Sequence, residues 1–163
     1  MKSKENYKID FFRYSDTNEM KVDEQKLIKK AIEAIDSSYS PYSHFQVGAA
    51  ILLENGEVVT GSNQENGAYP SGLCAERVAL FYAGAKYPKV PIVSMAIAAR
   101  NNGSLVEEPI SPCGACRQVM QEYRDVQKKP FSLMMVGTSN IIKVDDVLHL
   151  LPFNFSLLKD DKE

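Results

Sequence analysis

Three cysteines, Cys74, Cys113 and Cys116, and one glutamate, Glu76, have types and spacings suited to chemistry. So few cysteines, and an odd number, fit no disulfide framework and point to a reducing compartment. Cys113 and Cys116 are three residues apart, so on one helical turn both sulfurs can meet a single metal ion. Pro112 suits a position just before or at the first helical residue, and Cys74, near the start of another helix, would supply a third ligand. A helix N-terminus carries a partial charge of about +0.5, which stabilises a thiolate. Three thiolates leave one tetrahedral position open, which marks a catalytic zinc rather than a structural one.

Glu76 follows Cys74 by two residues in Cys-Ala-Glu, and Pro-Cys-Gly-Ala-Cys lies downstream at 112–116. Taken alone, Glu76 would read as a first-turn carboxylate favoured by the helix dipole. Beside three spaced cysteines it has another use. Zinc deaminases carry a Cys or His ligand, a glutamate that does not bind metal, then Pro-Cys-x-x-Cys. Their glutamate moves protons from a zinc-activated water to N3 of the base and to the departing ammonia. The two histidines, His44 and His149, have no ligand spacing to the cysteines. His149 reads as a half-exposed helix residue, and His44 as a surface residue or part of a pocket mouth.

The elements that must position these residues can be read from periodicity. Residues 1–22 read as an extension or edge strand, and residues 23–39 as a helix that Asp23 can cap, with Leu27, Ile28, Ala31 and Ile35 on one face. Ser40-Pro41-Tyr42-Ser43 breaks it. Residues 45–53 form a nearly continuous apolar strand, buried on both faces, and Asn55-Gly56 turns it into a second strand over 57–62. A helix over 74–84, a strand over 92–99 and a helix over 113–124 follow. Strands at 131–136 and 141–144 are joined so tightly that they must be antiparallel. A last helix from Asp146 stops at Pro152. Two β-α-β units thus place Cys74 and Cys113 just after strand ends, where open α/β sheets carry their sites.

Over residues 23–155 the chain resembles the short, homotetrameric, three-cysteine cytidine deaminases of nucleoside salvage. The resemblance rests on Ser40-Pro41-Tyr42-Ser43-His44-Phe45-x-Val47-Gly48-Ala49-Ala50, Asn63-Gln64-Glu65-Asn66, Cys74-Ala75-Glu76-Arg77 and Ser111-Pro112-Cys113-Gly114-Ala115-Cys116-Arg117-Gln118. It implies a three-layer α/β/α sandwich around a mixed, roughly five-stranded sheet. It also implies one Zn2+ per chain on the three cysteines, with Glu76 catalytic. Asn63 and Glu65 match the pair that binds the ribose 3′-hydroxyl, and Phe45 the aromatic that packs on the pyrimidine. Ala75 is a further substrate-binding position. Tyr69 and Phe155 match residues at subunit contacts, where Phe155 would reach into a neighbour's pocket. Arg77 matches an arginine set against the thiolates, which would withdraw density from an anionic zinc site. Gly67 stands where relatives commonly carry Ala, and residues 1–22 are longer than the usual start. The implied organisation is an N-terminal extension at 1–22, a deaminase domain at 23–156 and a charged tail at 157–163.

Composition limits the alternatives. The chain has 163 residues, 44% hydrophobic and 25% charged, enough for one domain with a real core. A net charge of -2 without a basic run argues against nucleic acid as partner. No apolar stretch is long enough for a bilayer, and the N-terminus lacks a signal-peptide core, so a cytoplasmic enzyme of small-molecule nucleosides is expected. Other readings stay open from the sequence: a zinc-binding interaction module, a dithiol redox protein using Cys113 and Cys116, and a deaminase of a modified base.

Overall fold

The computed structural model describes residues 2–158; of the expected charged tail at 157–163, residues 159–163 lie outside them. Strand β1 (Phe12–Tyr14) is followed by α1 (Val22–Ala34), the hairpin β2 (Phe45–Leu53) and β3 (Val58–Ser62), and α2 (Ala75–Lys86). Then come β4 (Ile92–Asn101), β5 (Ser104–Leu105), α3 (Gly114–Gln127), β6 (Ser132–Val136) and β7 (Ile141–Val144). The sheet runs in the order β1-β7-β6-β4-β2-β3, and β5 folds back on the end of β4. It is mixed: β4 and β6 are parallel, while the other pairs are antiparallel. Five strands carry it and two short ones trim it.

The apolar run in β2 takes an interior position one strand in from the edge, bonded to β3 on one side and β4 on the other. Its side chains alternate between two cores, as a strand buried on both faces must. Val47, Ala49, Ile51 and Leu53 pack with Ala79, Leu80 and Met120 of α2 and α3. Ala50 packs on the other face with Leu27, Ile28, Ala31 and Ile35 of α1 and the turn after it. Two glycines let the helices approach. A Cβ on Gly48 would lie 2.1 Å from the Ala31 carbonyl oxygen of α1, and one on Gly61 2.6 Å from the Ala79 nitrogen of α2.

The topology gathers the chemistry at one edge. Because β2 is antiparallel to both neighbours, β3 and β4 run the same way, and their C-terminal ends share a sheet edge with the start of β2. Phe45 opens β2 opposite Asn101, at the end of β4. Both α2 and α3 begin on leaving that edge, α2 after β3 and α3 after β4, so their N-termini converge there.

Several local readings are corrected. The first helix begins at Val22 and ends at Ala34, with a 3-10 turn over Ile35–Ser37. Asp23 is not its cap: the Lys21 N–H, exposed at the helix start, is met by the Glu24 carboxylate at 3.1 Å. Beyond β4, Asn102 and Gly103 take positive φ and form a hairpin into β5, which two residues of pairing were too short to announce. The last helix is a single 3-10 turn, Val147–Leu150, capped by Asp146, whose side chain accepts from the Leu148 N–H at 3.0 Å. β1 pairs antiparallel with β7 along the edge of the sheet.

Candidate active site

Cys74 is the N-cap residue of α2 and Cys113 that of α3, while Cys116 sits one turn into α3. Cys116 is buried, Cys74 half-buried and Cys113 exposed. Their sulfurs all lie within 4.8 Å of one another, the only such ligand group among the described residues. Cys74 Sγ is 3.8 Å from Cys113 Sγ, and Cys113 Sγ is 3.5 Å from Cys116 Sγ. Zinc–sulfur bonds of about 2.3 Å in a tetrahedron set sulfurs about 3.8 Å apart. Cys113 Sγ therefore stands near the spacing zinc requires from both of the others, and the third pair lies within 4.8 Å.

Electrostatics give the same fit. Hydrogen bonding with Cys116, then with Arg77 and Cys113, outweighs burial and lowers the Cys74 thiol to about 5. The same contact with Cys74, together with burial, pushes Cys116 up. One thiolate thus forms at the expense of the next, and a dication among them removes the conflict. Arg77, one turn into α2, brings Nη2 to 3.7 Å from Cys74 Sγ. Its Nε is buried and has no hydrogen-bond partner among the described residues.

Glu76 is 4% exposed, and burial first, then the nearby Cys74 charge, raises its carboxyl pKa. It stands at an open cleft of about 1000 Å³ with Cys74, Cys113 and Arg77. Phe45, Asn63, Glu65 and Tyr69 also line this cleft. Ala75 is fully buried in the core behind them, with no share of the cleft wall.

The polar residues of the wall are held by the backbone around Phe45. Asn63 donates from Nδ2 to the Phe45 carbonyl at 2.9 Å and accepts at Oδ1 from the Val47 N–H at 2.7 Å. It so continues the β2–β3 pairing with a side chain. Glu65 accepts from the Tyr42 N–H at 2.9 Å, the Ser43 N–H at 3.3 Å and the Ser43 hydroxyl. Those bonds, the Ser43 hydroxyl first, hold its carboxyl below the usual range. Tyr69 packs edge-on against Tyr42, ring centroids 6.0 Å apart. A Cβ on Gly67 would meet Tyr42 Oη at 3.1 Å, so glycine there gives Tyr42 room.

Phe155 lies outside the cleft and is 68% exposed. The Gln118 side chain grips its backbone, donating to its carbonyl at 2.7 Å and accepting its N–H at 3.4 Å. Arg117 ties the Pro112 carbonyl (2.8 Å) to the Leu150 carbonyl (3.1 Å), fixing the loop that enters α3. His44 and His149 join neither the cysteines nor the cleft; His44 lines a separate hollow and has a φ of 55°. Sequence reasoning passed over Tyr42 and Ser43 as breakers of a helix. Their signal was the adjacency to Phe45, which makes the same turn the floor of the wall.

Residues 21–132 match the profile of the cytidine and deoxycytidylate deaminase zinc-binding region. The chain is 42% identical over 127 residues to a cytidine deaminase of Halalkalibacterium halodurans, covering 78% of this chain and 92% of that protein. It is 38% identical over 135 residues to one of Sporosarcina psychrophila, covering 83% and 93%. Among solved structures, the cytidine deaminase of Burkholderia pseudomallei superposes with a TM-score of 0.69 at 37% identity. That match covers 83% of this chain and all of the other. The cytidine deaminase of Mycobacterium tuberculosis gives 0.65 at 33% identity, over 84% of this chain and all of the other. With its sulfur cluster spaced for zinc and its buried glutamate, the chain belongs to the zinc-binding cytidine and deoxycytidylate deaminase family.

Proposed function

We propose that the protein hydrolyses the exocyclic amine of free cytidine and deoxycytidine, releasing ammonia and the uridine form. The observation that carries this reading is a buried carboxylate, Glu76, beside three zinc-spaced thiols at a cleft walled by an aromatic and a polar pair. Cys74, Cys113 and Cys116 would hold the zinc, which when bound supplies Lewis-acid activation of water at neutral pH. Glu76 moves the protons. It takes one proton from the attacking water and gives it to N3 as the C4–O bond forms, then takes the second from the oxygen now on C4 and gives it to the amine as the C4–N bond breaks. Burial favours its protonated form, which suits a group that must hold a proton between two transfers.

Phe45 would pack against the pyrimidine, with Asn63 and Glu65 at the sugar. Arg77 would offset the negative charge of three thiolates, as would the N-termini of α2 and α3. The active unit would be a homotetramer in the cytoplasm serving pyrimidine salvage, with Tyr69 and Phe155 at subunit contacts. Exposed rings at both positions support this, and so does the cleft, which one chain leaves open to water. Among the described residues no helix is long and apolar enough to cross a membrane.

Loss of cytidine absorbance, followed with and without a zinc chelator, tests the proposal. Turnover should cease with chelator and return with added zinc. No turnover at full measured zinc occupancy would overturn it.

A further inference from the structure

Asn63 has four hydrogen-bonding capacities, and the protein uses three. Besides the Val47 N–H at 2.7 Å, Oδ1 accepts the Ser38 hydroxyl at 2.6 Å, while Nδ2 gives one N–H to the Phe45 carbonyl at 2.9 Å. Turning the amide over would oppose N–H to N–H at Val47 and oxygen to oxygen at Phe45, so its orientation is set. What remains open is the second N–H of Nδ2. The neighbouring carboxylate of Glu65 can only accept, and its lowered pKa keeps it ionised.

Ser38 itself is half-buried and lies behind Asn63. It lines the adjoining hollow with Tyr39, Ser40 and His44 and has no share in the cleft wall. Its single hydroxyl hydrogen goes to the short contact with Asn63, and Ser40 Oγ stands 3.3 Å from its oxygen. A hydroxyl placed there fills the second lone pair of Oδ1, which would otherwise face that hollow. It also polarises the amide, which strengthens the N–H still free on Nδ2.

We infer that Ser38 is a positioning residue for the sugar end of the cleft. By anchoring Oδ1 from behind and polarising the amide, it holds and strengthens the one donor that this subsite sets beside one carboxylate. Such a pair suits a group that accepts and donates at once, which is a free sugar hydroxyl. It disfavours acceptor-only groups such as esters or phosphates. The inference rests on the proposed contact of Asn63 and Glu65 with the ribose.

The test compares cytidine with 3′-deoxycytidine in the wild type, Ser38→Ala and Ser38→Thr, with zinc content and thermal midpoint measured alongside. Ser38→Ala should raise KM for cytidine about 3- to 10-fold, the worth of one hydrogen bond, with kcat and zinc unchanged. Its preference for cytidine over 3′-deoxycytidine should fall by the same factor, because the analogue has no 3′-hydroxyl to lose. Ser38→Thr, which keeps the hydroxyl, should restore the wild-type preference. Equal effects on both nucleosides in Ser38→Ala, or none on either, would overturn the positioning role and leave the sugar reading standing. A wild type that does not distinguish the two nucleosides would remove the sugar reading itself, and this inference with it.

Discussion

A buried carboxylate one turn from a thiolate cluster is costly to keep charged, which is why Glu76 fits proton transfer better than charge pairing. Glu76→Gln preserves shape and hydrogen bonding but cannot shuttle a proton. It should keep full zinc content and lose about 1000-fold or more in kcat, read by parallel metal analysis and a single-substrate assay. Near-normal turnover at full zinc would exclude the role. Arg77 acts on the same cluster from the other side, with Nη2 near Cys74 Sγ. Arg77→Gln should leave the three thiols in place and weaken zinc binding or kcat/KM about 10- to 100-fold, the usual cost of removing a group that supports metal ligands. Chelator competition separates the two effects, and wild-type values in both would refute the assignment. The dithiol redox alternative leaves Cys74, Glu76 and Arg77 without a task.

At the level of elements, the site depends on how closely two helices lie on one sheet. The start of β2 carries Phe45, and the second-layer glycine three residues on lets α1 touch the strand backbone. Gly48→Ala would drive a Cβ into the Ala31 carbonyl and the Ile35 nitrogen, at 2.1 and 2.7 Å. Both are backbone, so neither can swing aside as a flexible side chain would. Urea unfolding should show a loss of about 2–3 kcal/mol, the upper part of the range for overpacking a well-filled core. An unchanged midpoint would mean that α1 can slide on the sheet. The periodicity of β2 and of the two cysteine-bearing helices was legible because long apolar runs and amphipathic faces are strong signals. The end of α1 at Ala34 and the β5 hairpin were not, because each turns on one or two backbone hydrogen bonds rather than on a pattern of side chains.

For the whole molecule, the exposed rings of Tyr69 and Phe155 and the open cleft are the features a single chain leaves unfinished. Gln118 holds the Phe155 backbone against α3 while the ring stays in solvent, so it is presented rather than packed. In the proposed tetramer that ring closes a neighbour's cleft. Phe155→Ala should raise KM for cytidine about 5- to 10-fold, of the order of one aromatic contact, with zinc content full. Glu76→Gln and Phe155→Ala chains, unfolded and refolded together, should show turnover at the wild-type KM that neither shows alone, because some sites then receive both intact residues. Full activity from a species that light scattering finds monomeric would end the shared-site proposal.

The sequence by itself offered two local pairs, Cys113 with Cys116 as metal ligands on one helical turn and Cys74 with Glu76 as a third ligand beside a proton carrier, because geometry within one helical turn is a local property. Apolar patterning likewise determined a strand buried on both faces, β2. Only the tertiary structure decided that two helices 39 residues apart in their cysteines bring three sulfurs to the spacing of one zinc ion. That outcome follows from β2 lying antiparallel between β3 and β4, a pairing no local pattern encodes. The same holds for Asn63. As a residue in a polar run it reads as a turn, and only folding against Val47, Phe45 and Ser38 leaves it one N–H to offer. Long-range pairing spends the other valences, and that is information the sequence holds only in three dimensions.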